Sequence, residues 1–125
     1  GKFGEDFAYE MTYELFKKKA NRPTALMTGG IAASTGALKA FKLLNISIPE
    51  DVEMVAIDEW PMFDLLTTDI SSVYRDPKVL GEEVAKVLIQ MLNGGKPVQV
   101  KLPTYFRDRT NGRWIKKKPS NSSKN

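Results

Sequence analysis

Neither cysteine nor histidine occurs anywhere in the 125 residues. Their absence excludes disulfides, thiolate nucleophiles, Ser-His-Asp triads and any metal site built on thiolate or imidazole. Enzymatic chemistry would have to rest on carboxylates or lysines. Long apolar runs are missing too, and nothing approaches the roughly 20 residues needed to cross a bilayer. The N-terminus carries no signal-peptide pattern. Gly1 opens directly into Lys2-Phe3-Gly4 without an initiator methionine, so the chain is expected to be a fragment. The lack of cysteine fits a reducing cytoplasm, where the protein is expected to reside.

What is present is the composition of a soluble globular domain, 42% hydrophobic and 27% charged. The formal net charge of +4 is unevenly placed. Five of the 19 basic side chains (Arg113, Lys116, Lys117, Lys118, Lys124) lie in the last thirteen residues, which hold no acid; without those five, 14 bases face 15 acids. The body is therefore nearly neutral. The lysine-rich, serine- and asparagine-rich stretch 113–125 is expected to be a basic, disordered tail rather than a nucleic-acid arm.

The pattern along the chain alternates helix and strand. Phe7, Met11, Leu15 and Phe16 fall on one face of an amphipathic helix over 6–19, with Asp6 as its N-cap and Lys17–Lys19 at its negative end. Asn21-Arg22-Pro23 breaks it, and 24–28 reads as a short buried strand. Gly29-Gly30 makes a tight turn into a second helix, Ile31–Leu44. Glycine at such a junction lets a ligand approach the first helical turn, although a Gly-Gly pair alone is a weak phosphate signal. This second helix is rich in Ala32, Ala33, Ser34, Gly36, Ala37 and Ala40, which predicts close packing by another element.

The segment Met54–Ile57 reads as a buried parallel strand that stops on Asp58, Glu59 and Trp60. In open α/β sheets ligands sit beyond the carboxyl ends of such strands, so Asp58 and Trp60 are aimed where a ligand would be; turn capping and gap filling are the competing accounts. A short helical piece over 62–66 and a strand over 70–74 follow. Asp76 then caps a long helix with Pro77 at its first position, its apolar face running from Val79 to Leu92 and ending at Asn93-Gly94-Gly95. Residues 98–106 alternate as a last strand or two, broken at Pro103. The whole predicts an α/β fold, a doubly wound, mostly parallel sheet with flanking helices.

Four blocks together resemble the effector-binding domain of lactose-repressor-type (LacI) transcription regulators. They are Arg22-Pro23-Thr24-Ala25-Leu26 with Gly36-Ala37-Leu38-Lys39-Ala40; Ile48-Pro49-Glu50-Asp51-Val52 with Ile57-Asp58-Glu59; Ser71-Ser72-Val73 with Leu80-Gly81-Glu82-Glu83-Val84-Ala85; and Leu102-Pro103 with Arg109. The likeness runs from about Phe3 to Arg109. It implies a periplasmic-binding-protein-like fold, with residues 1–112 forming mainly the C-terminal lobe and the crossover segment, and the helix at about 77–95 belonging to the other lobe. It also implies a homodimer, operator DNA bound through a domain outside this chain, and a small effector: a sugar, sugar acid or sugar phosphate. No cofactor, metal, catalytic residue or membrane contact is implied.

By the same resemblance Asp58 is the ligand-binding aspartate and Phe3 an aromatic lining the cleft. Gly30 falls where the family usually carries an asparagine, which removes an amide contact. Arg75 falls where a polar residue faces the cleft. As a planar fork it suits a carboxylate or phosphate and so leans towards an acidic effector, unless it pairs with Asp58, Glu59 or Asp76. Trp60 would stack on a sugar or pack internally. The small face of the second helix, with residues 62–66, lies in the region of family dimer contacts. The alternative function is a solute-binding protein of a sugar transporter. An enzyme using Asp58 and Glu59 as paired carboxylates is disfavoured, because adjacent strand-end residues point apart.

Overall fold

Gly36 decides how the helices stack. A Cβ at this position would stand 2.7 Å from the Tyr9 backbone nitrogen and 2.9 Å from Ala8 Cβ, so only glycine admits the neighbouring helix this closely. The protein is described here from a computed structural model covering residues 4–109 and the backbone of Arg113–Lys116. Helix α1 (Glu5–Phe16) lies across helix α2 (Ile31–Leu44), and a Lys39–Glu5 ion pair joins them. The close packing expected from the small residues of α2 is thus occupied by α1.

That contact overturns the face assigned to α1 at every position but Phe16. Thr12 and Phe16 are buried, whereas Phe7, Met11 and Leu15 remain 41–49% exposed. The apolar pattern ranked residues by hydrophobicity alone, but backbone approach at Gly36 selects the strip of Glu5, Ala8 and Tyr9 instead. The N-cap is also Gly4 rather than Asp6.

The strands are β1 (Ala25–Thr28), β2 (Glu53–Ile57), β3 (Ser71–Tyr74), β4 (Tyr105–Asp108) and β5 (Arg113–Lys116), hydrogen-bonded in that order. The first three are parallel, with Ala25 opposite Glu53 and Val55 opposite Ser71. The last two turn antiparallel, with Ser72 opposite Arg107 and Phe106 opposite Ile115. This is the α/β architecture anticipated, with two departures near its end. Residues 98–104 form no strand, and the sheet instead gains β5 where the basic tail was expected to begin. Backbone pairing with β4 satisfies the inward-facing polar groups of those four residues; the tail positions 117–125 lie outside the described residues.

Met54 and Ala56 of β2 point into the core with Phe16, Ala37, Phe41, Val52, Phe63 and Ile70. Phe16 and Phe41 meet edge to face at 4.8 Å between ring centroids, a favoured aromatic geometry. Phe63 arrives from the 3-10 turn Pro61–Leu65, which bridges β2 and β3. The opposite side of the sheet is barer among the described residues, with Met27 65% exposed. Helix α3 (Pro77–Leu92) starts as expected, the Asp76 carboxylate accepting from the Lys78 and Val79 amides, yet buries no residue at all.

Candidate functional site

Three parallel strands in register end along one edge. There β1 runs into Gly29-Gly30, β2 into Asp58 and β3 into Arg75. The structure therefore brings together Gly30, Asp58 and Arg75, three of the five positions singled out from sequence, where a parallel sheet presents ligands.

Asp58 leaves β2 with φ +75°, a left-handed conformation that aspartate tolerates better than most residues. Its amide donates to the Val73 carbonyl at 3.0 Å, which anchors the turn to β3. Its Oδ1 accepts from Arg75 Nη2 at 2.8 Å. Both side chains stay open to solvent, Arg75 at 52% and Asp58 at 40%. Of the alternatives for Arg75, the ion pair with Asp58 is the one formed.

Gly30 caps α2 with φ +151°, a backbone region that side chains rarely adopt. Behind it, Thr28 Oγ1 and Ser34 Oγ share a buried hydrogen bond of 2.7 Å, and Ser34 Oγ donates to the Gly30 carbonyl at 3.0 Å. Trp60 packs edge to face on Phe63 at 5.8 Å and against the core cluster. Trp60 is half-buried. Phe3 lies outside the described residues.

Glu59, one residue past Asp58, turns the other way into a cluster the sequence did not assemble. Its carboxylate accepts from Ser72 Oγ, from Arg107 Nη1 at 3.1 Å and from Arg109. Arg109 is 9% exposed, lies 5.5 Å over the Phe63 ring, and also donates to Asp64 at 2.9 Å and to the Ile70 carbonyl at 2.9 Å. Burial alone would raise the Glu59 carboxyl, but the bonds from Arg109 and Ser72 and the nearby guanidinium charge outweigh it and hold it below its usual value. Asp64 is likewise lowered, chiefly by its hydrogen bond from Arg109. Burial works against the Arg109 charge, yet Glu59 and Asp64 raise it overall. Two acids and two bases balance.

The only sequence hints of this cluster were Glu59 beside Asp58 and Arg109 in the terminal block. Nothing in local spacing joins residues 50 positions apart. The chemistry available is recognition: an exposed carboxylate–guanidinium pair at a sheet edge, backed by an inward ionic cluster. Asp58 and Glu59 serve different partners and do not flank a common point. Among the described residues no group of three or more metal-ligand side chains gathers.

Comparison with known proteins identifies the fold that carries this edge. The family model of the periplasmic binding protein-like domain matches residues 2–110. The lactose operon repressor of Rhizobium radiobacter is 30% identical over 102 residues, spanning 81% of this chain and 87% of that protein. The NTD biosynthesis operon regulator NtdR of Bacillus subtilis (strain 168) is 26% identical over 108 residues, which is 82% of this chain but 33% of that regulator. A solved putative ribose operon repressor from Burkholderia thailandensis superposes with a TM-score of 0.70 at 28% identity, covering 80% of this chain and 38% of that one. A LacI family transcriptional regulator from Enterococcus faecium with bound ribose gives 0.71 at 19% identity, covering 94% and 41%, a likeness of fold. This chain thus spans about a third of the NtdR sequence. With the family model running over nearly its full length and a repressor matched across most of both chains, the protein belongs to the periplasmic-binding-protein-like domains of LacI-type transcriptional regulators.

Proposed function

We propose that this chain is the effector-sensing part of a sugar- or metabolite-responsive transcription regulator, acting in the cytoplasm on operator DNA through a domain outside the chain. The observation that carries the reading is the Asp58–Arg75 pair, exposed at the carboxyl edge of three parallel strands. A carboxylate takes hydroxyl hydrogens, and a guanidinium offers donors to hydroxyl oxygens. Paired, they carry no net charge, so a neutral polyol engages both without breaking the 2.8 Å bond. An acidic effector would meet a guanidinium whose charge Asp58 already balances. The formed pair therefore moves the preference from sugar acids and phosphates towards neutral sugars. The transporter solute-binding reading shares the fold but lacks the repressor kinship found along this chain.

Two further features support the regulator architecture. Helix α3 buries no residue and leaves Val84, Leu88 and Leu92 more than half exposed, as suits a helix whose packing partners lie in a second lobe. For the homodimer, the small face of α2 is taken by α1 and the core. The dimer surface we favour is the outer side of α2 with exposed Met62, Leu65 and Leu66 of the 3-10 turn region.

A thermal-shift series against neutral sugars, sugar acids and sugar phosphates tests the reading, because a ligand that binds only the folded state raises the melting temperature. Stabilisation by neutral sugars is the expected result. Stabilisation by anionic sugars alone would overturn the preference for neutral sugars and make Arg75 an anion fork. No stabilisation by any of the three classes would sink the sugar-effector reading.

A further inference from the structure

We infer that Arg109 is a positioning residue for the effector site, holding the Asp58 turn in place through Glu59. The inference rests on the assignment of Asp58 to the effector edge and goes beyond it to a residue that meets no ligand. Asp58 sits in a left-handed conformation, which costs energy for any residue but glycine and persists only where the surroundings fix it. On one side the turn is held by the Asp58 amide bond to Val73. On the other it continues straight into Glu59, whose carboxylate is fastened to β3 by Ser72, to β4 by Arg107 and to the residue just past β4 by Arg109.

Arg109 has the geometry of the central fastener. One guanidinium reaches the Ile70 carbonyl at 2.9 Å, Ser72 Oγ at 3.3 Å, Asp64 at 2.9 Å and Glu59. It thereby ties the far ends of the 58–70 connection, Glu59 and Ile70, to each other and to Asp64 between them. Phe63 under its plane fixes its height. Lysine keeps the charge at this place but cannot form a fork, so it cannot satisfy these acceptors together. Because Asp58 and Glu59 share one peptide unit, a shift of Glu59 towards solvent turns the Asp58 backbone with it and draws the carboxylate away from Arg75.

The test compares wild type with Arg109→Lys in the full chain by residue-resolved amide hydrogen exchange, and then titrates both with D-ribose as the probe. Exchange at residues 58–60 should rise at least tenfold in Arg109→Lys while β1, α1 and α2 keep their protection. A uniform rise across the sheet and helices would make Arg109 an ordinary stabilising residue, and no change at 58–60 would equally overturn the proposal. With ribose, Arg109→Lys should weaken binding several-fold, and that loss should vanish in the Asp58→Asn background. Additive losses would show that Arg109 does not act through Asp58. If wild type ignores ribose, the choice of effector fails, while the exchange result still decides the positioning role.

Discussion

Asp58 and Gly30 both occupy backbone regions with positive φ, but for different reasons, and substitution separates them. At Asp58 the side chain is the point. Asp58→Asn keeps a residue that tolerates the left-handed turn and removes only the charge. A hydrogen bond to a charged group contributes about 1.5–3 kcal/mol. Effector affinity should therefore fall roughly ten- to hundredfold, measured by titration calorimetry, with the melting temperature close to wild type. At Gly30 the backbone is the point. No atom lies within 4 Å of a Cβ there, yet φ +151° is strained for any side chain. Gly30→Ala should cost about 1–3 kcal/mol, whereas Gly29→Ala, with equally open space and no positive φ, should stay within about 0.5 kcal/mol. Urea unfolding of the two variants decides between strain and crowding. Glu59 adds a pH dependence. Its folded value lies below the ordinary 4.5, so its contribution to stability is complete above that value and is lost as pH falls through the folded one. Glu59→Gln should thus be less stable than wild type at neutral pH, the gap closing in acid. A gap that persists unchanged at low pH would show that the carboxylate charge is not what stabilises.

Between elements, the α1–α2 contact gives the sharpest sign prediction. In an ordinary helix interior, alanine is about 1 kcal/mol better than glycine. At position 36 the added methyl would meet α1 backbone and side chain at 2.7–2.9 Å, and backbone cannot swing aside. Gly36→Ala should therefore destabilise, by about 1–3 kcal/mol, with a lower melting temperature in calorimetry. A gain in stability would mean that α1 is free to shift. This contact also marks how far sequence reading reached. The small residues of α2 announced a close neighbour, and Asp76-Pro77 announced the start of α3, because both signals are local. Phe7, Met11 and Leu15 misled, since apolar spacing cannot say which face a glycine will draw inward. Asp58 was legible as a strand-end residue, and Arg75 through the family resemblance. The Glu59–Arg109 cluster was not, because it depends on β4 returning beside β3 after an intervening helix. Likewise β5 takes the first four residues of the expected tail, because a basic composition does not forbid edge pairing when the neighbouring strand has open backbone groups.

At the scale of the molecule, the chain divides into a packed body and an unpacked helix. The body gathers α1, α2, β1 and β2 around one core, while among the described residues α3 shares its apolar side with Val98, Val100 and Leu102. Val84 and Leu88 remain 58% and 55% exposed despite that contact. A sixteen-residue helix without tertiary burial is marginal in water, because nucleation is costly and most helical stability in proteins comes from packing. The Asp76 cap contributes about 1 kcal/mol and cannot replace a buried face. Local opening free energies follow burial, so exchange should separate the two parts. In this chain alone, α3 amides should exchange orders of magnitude faster than those of β2, whose Met54 and Ala56 are within 2% of complete burial. The same helix measured within an intact regulator should gain protection, as its apolar face finds the second lobe. If α3 in the isolated chain is protected as strongly as β2, its partners lie within the chain, and the assignment of 77–95 to another lobe falls.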